Sequence, residues 1–177
     1  MQHKALAVAT TLLCMVVAGT SQQQDKSKRP SPPAKAEVTL KGKTITIDYS
    51  RPSAKGRKII GGVVPFNQVW RTGANEATTF NTPIALTVGE TKVPAGTYTL
   101  YTLPSESGWK LIINKQTGQW GTEYDEKQDL ARVDMQTGKT PQPVEQFTIS
   151  FDKKGDDAAN LVLQWENTSA TVPVKAQ

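Results

Sequence analysis

The chain has 177 residues, with 21 lysines and arginines against 16 aspartates and glutamates, one histidine and one cysteine. Its formal charge of +5 is a moderate excess that serves solubility and weak attraction to anionic surfaces, and it falls short of a nucleic-acid-binding signature. His3 and Cys14 both lie within the first 21 residues, so a chain that loses that segment has no disulfide, no thiol nucleophile and no histidine to act as base or metal ligand.

That first segment, 1 to 21, reads as a secretory signal peptide: a basic start at Lys4, an apolar run over 5 to 18, and small residues at Ala18, Gly19, Thr20 and Ser21. A bilayer span takes roughly 18 or more apolar residues, and neither this run nor any later one reaches that length, so no membrane span is expected. Lipid anchoring at Cys14 is not expected either, because Leu12 and Leu13 precede it where small residues are needed and Met15, Val16 and Val17 prolong the apolar run. The reading is an exported protein, periplasmic or released. Residues 22 to 35 carry three prolines and no apolar periodicity, which predicts a disordered, solvated tether. A single folded domain over 36 to 177 follows.

Within that domain the apolar period is two. Val38 and Leu40, then Ile45, Ile47 and Tyr49, alternate with polar residues, and Gly42 sits where a tight hairpin turns. Further strands are predicted over 77 to 80, 84 to 88, 97 to 103, 109 to 114, 130 to 135, 144 to 151, 161 to 165 and 170 to 174, with turn signals at 81 to 83, 89 to 90, 94 to 96, 104 to 108, 138 to 143 and 153 to 157. Residues 123 to 134 have poor helical spacing and suit a single turn. The fold class is all-β: an antiparallel β-sandwich, jelly-roll-like or barrel-like, of about nine to ten strands with little or no helix. Tyr49, Tyr98, Trp109, Phe147, Phe151 and Trp165 fall on strand patterns and are expected to pack in the core or on a sheet face.

One segment breaks the pattern. Between Asp48 and Glu76 the chain places Arg51, Lys55, Arg57, Lys58 and Arg71 with no intervening carboxylate, and ends in Trp70, Arg71, Thr72, Gly73, Ala74, Asn75 and Glu76. Cations packed together need an anion or protein carboxylates to answer them. Two arrangements stay open. Arg71 pairs with Glu76 or with the acidic run Glu123, Asp125, Glu126 and Asp129, as a structural clasp; or Arg51, Arg57 and Arg71 fork around an anionic group of a ligand. The candidate ligand-binding residues are Arg51, Arg57, Trp70, Arg71, Asn75, Glu76, Trp120 and Tyr124, for an anionic or carbohydrate small ligand. Lys55 and Lys58 read as solvated. The glycines and lysines do not form a phosphate loop, since G-x-x-x-x-G-K-[ST] is absent. No catalytic residue is assigned and the balance leans away from an enzyme. The alternatives are a glycan hydrolase using Glu76 with an acid from 123 to 129, and a purely structural motif with partner binding at a sheet edge. Asp152, Asp156 and Asp157 share a loop with Lys153 and Lys154 and read as a solvated hairpin tip, so no metal and no cofactor is expected. No signal for an oligomeric state is present.

The segments DYSRPSAKGRKIIGG (48 to 62), VPFNQVWRTGANEAT (64 to 78), PAGTYTLYTLP (94 to 104), WKLIIN (109 to 114) and WGTEYDEKQDLARV (120 to 133) together resemble the domain of unknown function 2911 family over roughly residues 36 to 165. The resemblance implies a small secreted β protein and supplies no activity and no catalytic residue.

Overall fold

A computed structural model of the protein describes residues 25 to 177, so the expected signal peptide (1 to 21) and residues 22 to 24 of the expected tether lie outside the described residues. Nine strands form one open antiparallel sheet: β1 (Pro33–Leu40), β2 (Lys43–Ser50), β3 (Thr79–Thr82), β4 (Leu86–Val88), β5 (Thr91–Val93), β6 (Gly96–Pro104), β7 (Trp109–Asn114), β8 (Asp129–Lys153) and β9 (Ala158–Ala176). Their order is β1-β2-β3-β6-β7-β8-β9-β4-β5. The sheet folds over on itself without closing, giving the expected sandwich-like architecture, and β1 lies close to β8 and β9 without joining their ladder.

Alternation dictates the hairpins. In β1 and β2 the buried apolar residues are Ala36, Val38, Leu40, Ile45, Ile47 and Tyr49, and between them Lys41 and Gly42 both take positive φ (47° and 71°), as a two-residue turn matched to strand twist requires. Tyr49 ties the layers together: its hydroxyl accepts from the Ile149 amide at 3.0 Å and donates to the Ile149 carbonyl at 3.3 Å, 100 residues away on β8.

The turn expected over 138 to 143 is instead part of β8, and the two strands expected on either side of it are one. Lys139 pairs with Thr168 and Val144 with Glu166, so five steps along β8 answer two along β9. The surplus is a wide bulge that accommodates Pro141 and Pro143, which have no N–H to give a ladder. Glu166, opposite the bulge, takes φ 52° and its carbonyl accepts from Thr140 Oγ1 at 3.0 Å. Bent this way, β8 pairs with β7 through Met135 and with β9 from Gln136 onward, serving both layers. The strands expected at 161 to 165 and 170 to 174 are likewise one, β9, and β5 is an additional short strand. A single 3-10 turn, Glu126–Gln128, occupies the region expected to hold one turn. Among the described residues no helix is long and apolar enough to cross a membrane.

The N-terminal boundary also differs from the tether reading. Strand β1 starts at Pro33, three residues before Ala36, and Asp25–Pro32 pack against the domain through a 3-10 turn at Lys26–Lys28 and a hydrogen bond from the Arg51 amide to the Pro32 carbonyl at 2.9 Å.

Candidate functional site

The long connection from β2 to β3 builds the site. Its first two arginines are spent on acceptors of the protein itself. Arg51 donates from Nε to the Phe147 carbonyl (3.1 Å) and from Nη2 to Thr148 Oγ1 (2.9 Å), pinning the connection to β8. Arg57 is exposed and donates to the carbonyls of Ala54 (3.0 Å) and Ser53 (2.8 Å), closing its own turn. Lys55 and Lys58 are exposed, as expected. We expect Arg51→Ala to cost about 1–3 kcal/mol, since hydrogen bonds from a charged donor are lost; a thermal melt within a degree of the parent would contradict that role.

Further on, the backbone is strained. Thr72 (φ 51°), Gly73 (φ 151°) and Asn75 (φ 61°) all lie outside the regions that L-residues favour. The loop is held there by neighbours. Trp70 bridges Thr102 of β6 through two backbone bonds (2.8 and 2.9 Å), Thr72 Oγ1 donates to Thr102 Oγ1 (3.1 Å), and Thr78 Oγ1 donates to the Thr72 carbonyl (2.7 Å). A Cβ on Gly73 would stand 3.0 Å from Thr78 Oγ1 and 3.1 Å from the Ser50 carbonyl, so both φ and space call for glycine. The Trp70 ring stacks on Trp165 (centroids 5.6 Å) and meets Phe147 edge-on (4.9 Å), which fixes the residue before Arg71.

A second segment, 115 to 128, covers the outer face of β6 and β7. Asn114, fully buried, donates to the Asp125 carbonyl (2.9 Å) and to Asp129 Oδ1 (2.8 Å), Thr99 Oγ1 donates to the Gln116 carbonyl (2.7 Å), and the Tyr101 hydroxyl donates to the Glu123 carbonyl (2.8 Å). Tyr124 packs edge-on against Tyr101 (4.8 Å) and donates to Asp129 Oδ2 (2.7 Å) while accepting from Arg132 Nη2 (2.9 Å). Burial, then the bond to Asp129, pushes the Tyr124 phenol up to about 12, against the opposing pull of Arg132. Burial also raises Tyr101, and the negative charges of Glu123 and Asp129 add to it while a hydrogen bond from Gln119 works the other way. Neither phenol ionises near neutral pH.

Between the two segments lies a cleft of about 180 Å³ lined by Val69, Trp70, Arg71, Tyr101, Gly121, Thr122 and Tyr124. Arg71 is half-buried, and its guanidinium makes one long bond, from Nε to the Gly73 carbonyl at 3.3 Å. Among the described residues no carboxylate pairs with it. The clasp that would join Arg71 to Glu76 or to the acidic run is therefore not formed. Gly121 allows the approach: a Cβ there would fall 2.9 Å from Arg71 Cδ and 2.9 Å from the Asn75 carbonyl, which accepts from the Gly121 amide at 3.0 Å.

Asn75 and Glu76 point elsewhere. The Asn75 side-chain amide donates to the Ser31 carbonyl (3.0 Å), and the Glu76 carboxylate accepts from Arg29 Nη1 at 2.9 and 3.1 Å and pairs with Lys26 Nζ at 3.0 Å. Its own backbone amide, then Lys26 and Arg29, hold the Glu76 carboxyl down to about 2 against the opposing effect of burial. Trp120 bridges Glu76 through its backbone and, 45% exposed, stands outside the cleft.

Of the eight candidate residues, the structure thus gathers Trp70, Arg71 and Tyr124 in one cleft, sets Asn75 and Glu76 under the N-terminal segment, and leaves Arg51, Arg57 and Trp120 apart. Sequence reasoning did not single out Tyr101, Thr122, Gly121 or the Glu76 partners Lys26 and Arg29. Tyr98 and Tyr101 fall on opposite faces of β6, and that spacing was a signal of burial on both sides.

Fold and cleft together define a small antiparallel β protein with an aromatic-walled pocket around one arginine that no protein acid answers among the described residues. The family model described as protein of unknown function (DUF2911) matches residues 31–174, and the chain belongs to that family. No curated protein and no solved structure matches the chain.

Proposed function

We propose that this protein is an exported, non-enzymatic binding module whose Arg71 cleft takes an anionic or sugar-like small ligand. The observation that carries the reading is a half-buried guanidinium in an aromatic-walled cleft, with no carboxylate partner among the described residues, presented by a strained loop. A motif that served stability alone has no reason to leave that charge unanswered, since an uncompensated, partly desolvated cation costs free energy. Export rests on the sequence of residues 1 to 21. The hydrolase alternative draws no support from Glu76, which is outside the cleft and whose low pKa keeps it ionised at neutral pH.

The test is a thermal-shift panel of acetate, benzoate, sulfate, phosphate and N-acetylglucosamine at millimolar concentration on the parent protein and Arg71→Ala. A ligand that binds only the native state raises the midpoint by mass action. At least one compound is expected to raise the parent's midpoint and leave the variant's unmoved. Equal responses in both proteins across the panel would remove the proposal.

A further inference from the structure

The polar groups lining the Arg71 cleft narrow the ligand further. The Tyr101 hydroxyl donates to the Glu123 carbonyl and accepts from Gln119, and the Tyr124 hydroxyl is shared between Asp129 and Arg132. Among the lining side chains, the groups left without hydrogen-bond partners in the described residues are the Arg71 Nη atoms, the Trp70 indole N–H and the exposed Thr122 hydroxyl. The remaining wall is Val69, Gly121 and the partly exposed Trp70 and Tyr124, while Tyr101, 1% exposed, offers a ligand almost no surface. A sugar presents hydroxyls that both donate and accept, whereas the free groups of the lining side chains are mostly donors: the Arg71 Nη atoms and the Trp70 indole N–H only donate, and Thr122 alone also accepts. Its volume of about 180 Å³ suits one head group on a short body.

Charge narrows it again. Among the described residues Arg71 is the one cation lining the cleft, while Arg51 is committed to the Phe147 carbonyl and the Thr148 hydroxyl and Arg57 to the carbonyls of Ala54 and Ser53, away from it. Attraction to a single cation grows in proportion to ligand charge, but desolvation cost grows with its square, so a partly enclosed site with one arginine favours a monoanion over a dianion. The carboxylates of Glu123 and Asp129 act on Tyr101 in the cleft wall and add repulsion that a second negative charge would feel twice over. A guanidinium fork matches a planar carboxylate with two parallel bonds. We infer that the group held at Arg71 is a single carboxylate on a short, flat, apolar body seated against Trp70 and Tyr124.

This inference rests on the binding reading above and can fail separately from it. The experiment is an amide and indole NMR titration of the mature protein at pH 7.5 with phenylacetate, phenyl phosphate and methyl glucoside, following Gly121, Thr122 and the Trp70 indole. At that pH phenyl phosphate is largely a dianion, its second pKa lying near ~6. Phenylacetate is expected to shift those signals and to bind about tenfold more weakly or worse once Arg71→Ala removes its charge-assisted bonds. Arg71→Lys, which keeps the charge and loses the fork, should fall between, and it carries the comparison if the alanine variant does not fold. Phenyl phosphate binding tighter than phenylacetate would overturn the carboxylate assignment and keep the anion reading. Preference for methyl glucoside would overturn it in favour of the sugar reading. Phenylacetate binding that neither Arg71 variant weakens would overturn it as well, and no response at the cleft to any of the three would overturn both.

Discussion

Trp70→Ala should lower the melting midpoint by about 10 °C or more, while Arg71→Ala, one residue along, should leave it within about 2 °C of the parent or raise it. The contrast follows from what each side chain touches. Trp70 stacks on Trp165 and abuts Phe147, so its removal opens a hole in the aromatic end of the core, a change that typically costs about 3–5 kcal/mol. In a domain of this size each kcal/mol moves the midpoint by roughly 3 °C. Arg71 gives its fold one 3.3 Å bond to its own loop and no ion pair among the described residues, and deleting it relieves an uncompensated charge. Differential scanning calorimetry of the three proteins decides the matter. A fall of ten degrees in Arg71→Ala would make the residue a structural clasp and end the case for the cleft; an unmoved Trp70→Ala would mean that the loop is anchored by its Thr102 bridge alone.

How far the sequence foretold this arrangement depends on the range of the interactions involved. Val38, Leu40, Ile45, Ile47 and Tyr49 gave their strands away because side-chain alternation is local, and Gly42 marked its turn because the conformation it adopts is local too. Gly138, Pro141 and Pro143 misled, since what keeps them inside β8 is pairing with β9 about 30 residues later, which no window around them contains. The same limit governed the site. Trp70 and Arg71 were conspicuous as a polar, aromatic break in a strand pattern, but whether an arginine meets a ligand or a carbonyl is settled by distant backbone: Arg51 ends on Phe147, 96 residues away. Composition alone suggests a tether, and composition does not show that Arg29 finds Glu76 across 47 residues of chain.

That last contact carries the second large effect. Glu76→Gln keeps the shape of the side chain and removes the charge that Lys26 and Arg29 both engage, so the N-terminal segment should open more often and trypsin should cut after Lys26 and Lys28 about fivefold faster at pH 8. The factor corresponds to about 1 kcal/mol, the upper range for exposed pairs, because the Glu76 side chain is 41% exposed and solvent screens it. Acid should do to the parent what the substitution does at neutral pH. The Glu76 carboxyl sits at about 2 in the folded protein against an ordinary 4.5, so its contribution is fully present above pH 4.5 and is lost as pH falls from there toward 2. The Asn75 side-chain amide, hydrogen-bonded to the Ser31 carbonyl, reports the docked segment directly, and its NMR signals should move over that window in the parent and move part of the way in the same direction in Glu76→Gln at neutral pH. Equal cutting of both proteins at Lys26 and Lys28 would show that the segment is held by something other than Glu76. If the segment lifts and phenylacetate binding survives, the Arg71 cleft stands without it; if binding falls with it, the Gly121 amide bonded to the Asn75 carbonyl is the physical link through which the docked segment shapes the cleft.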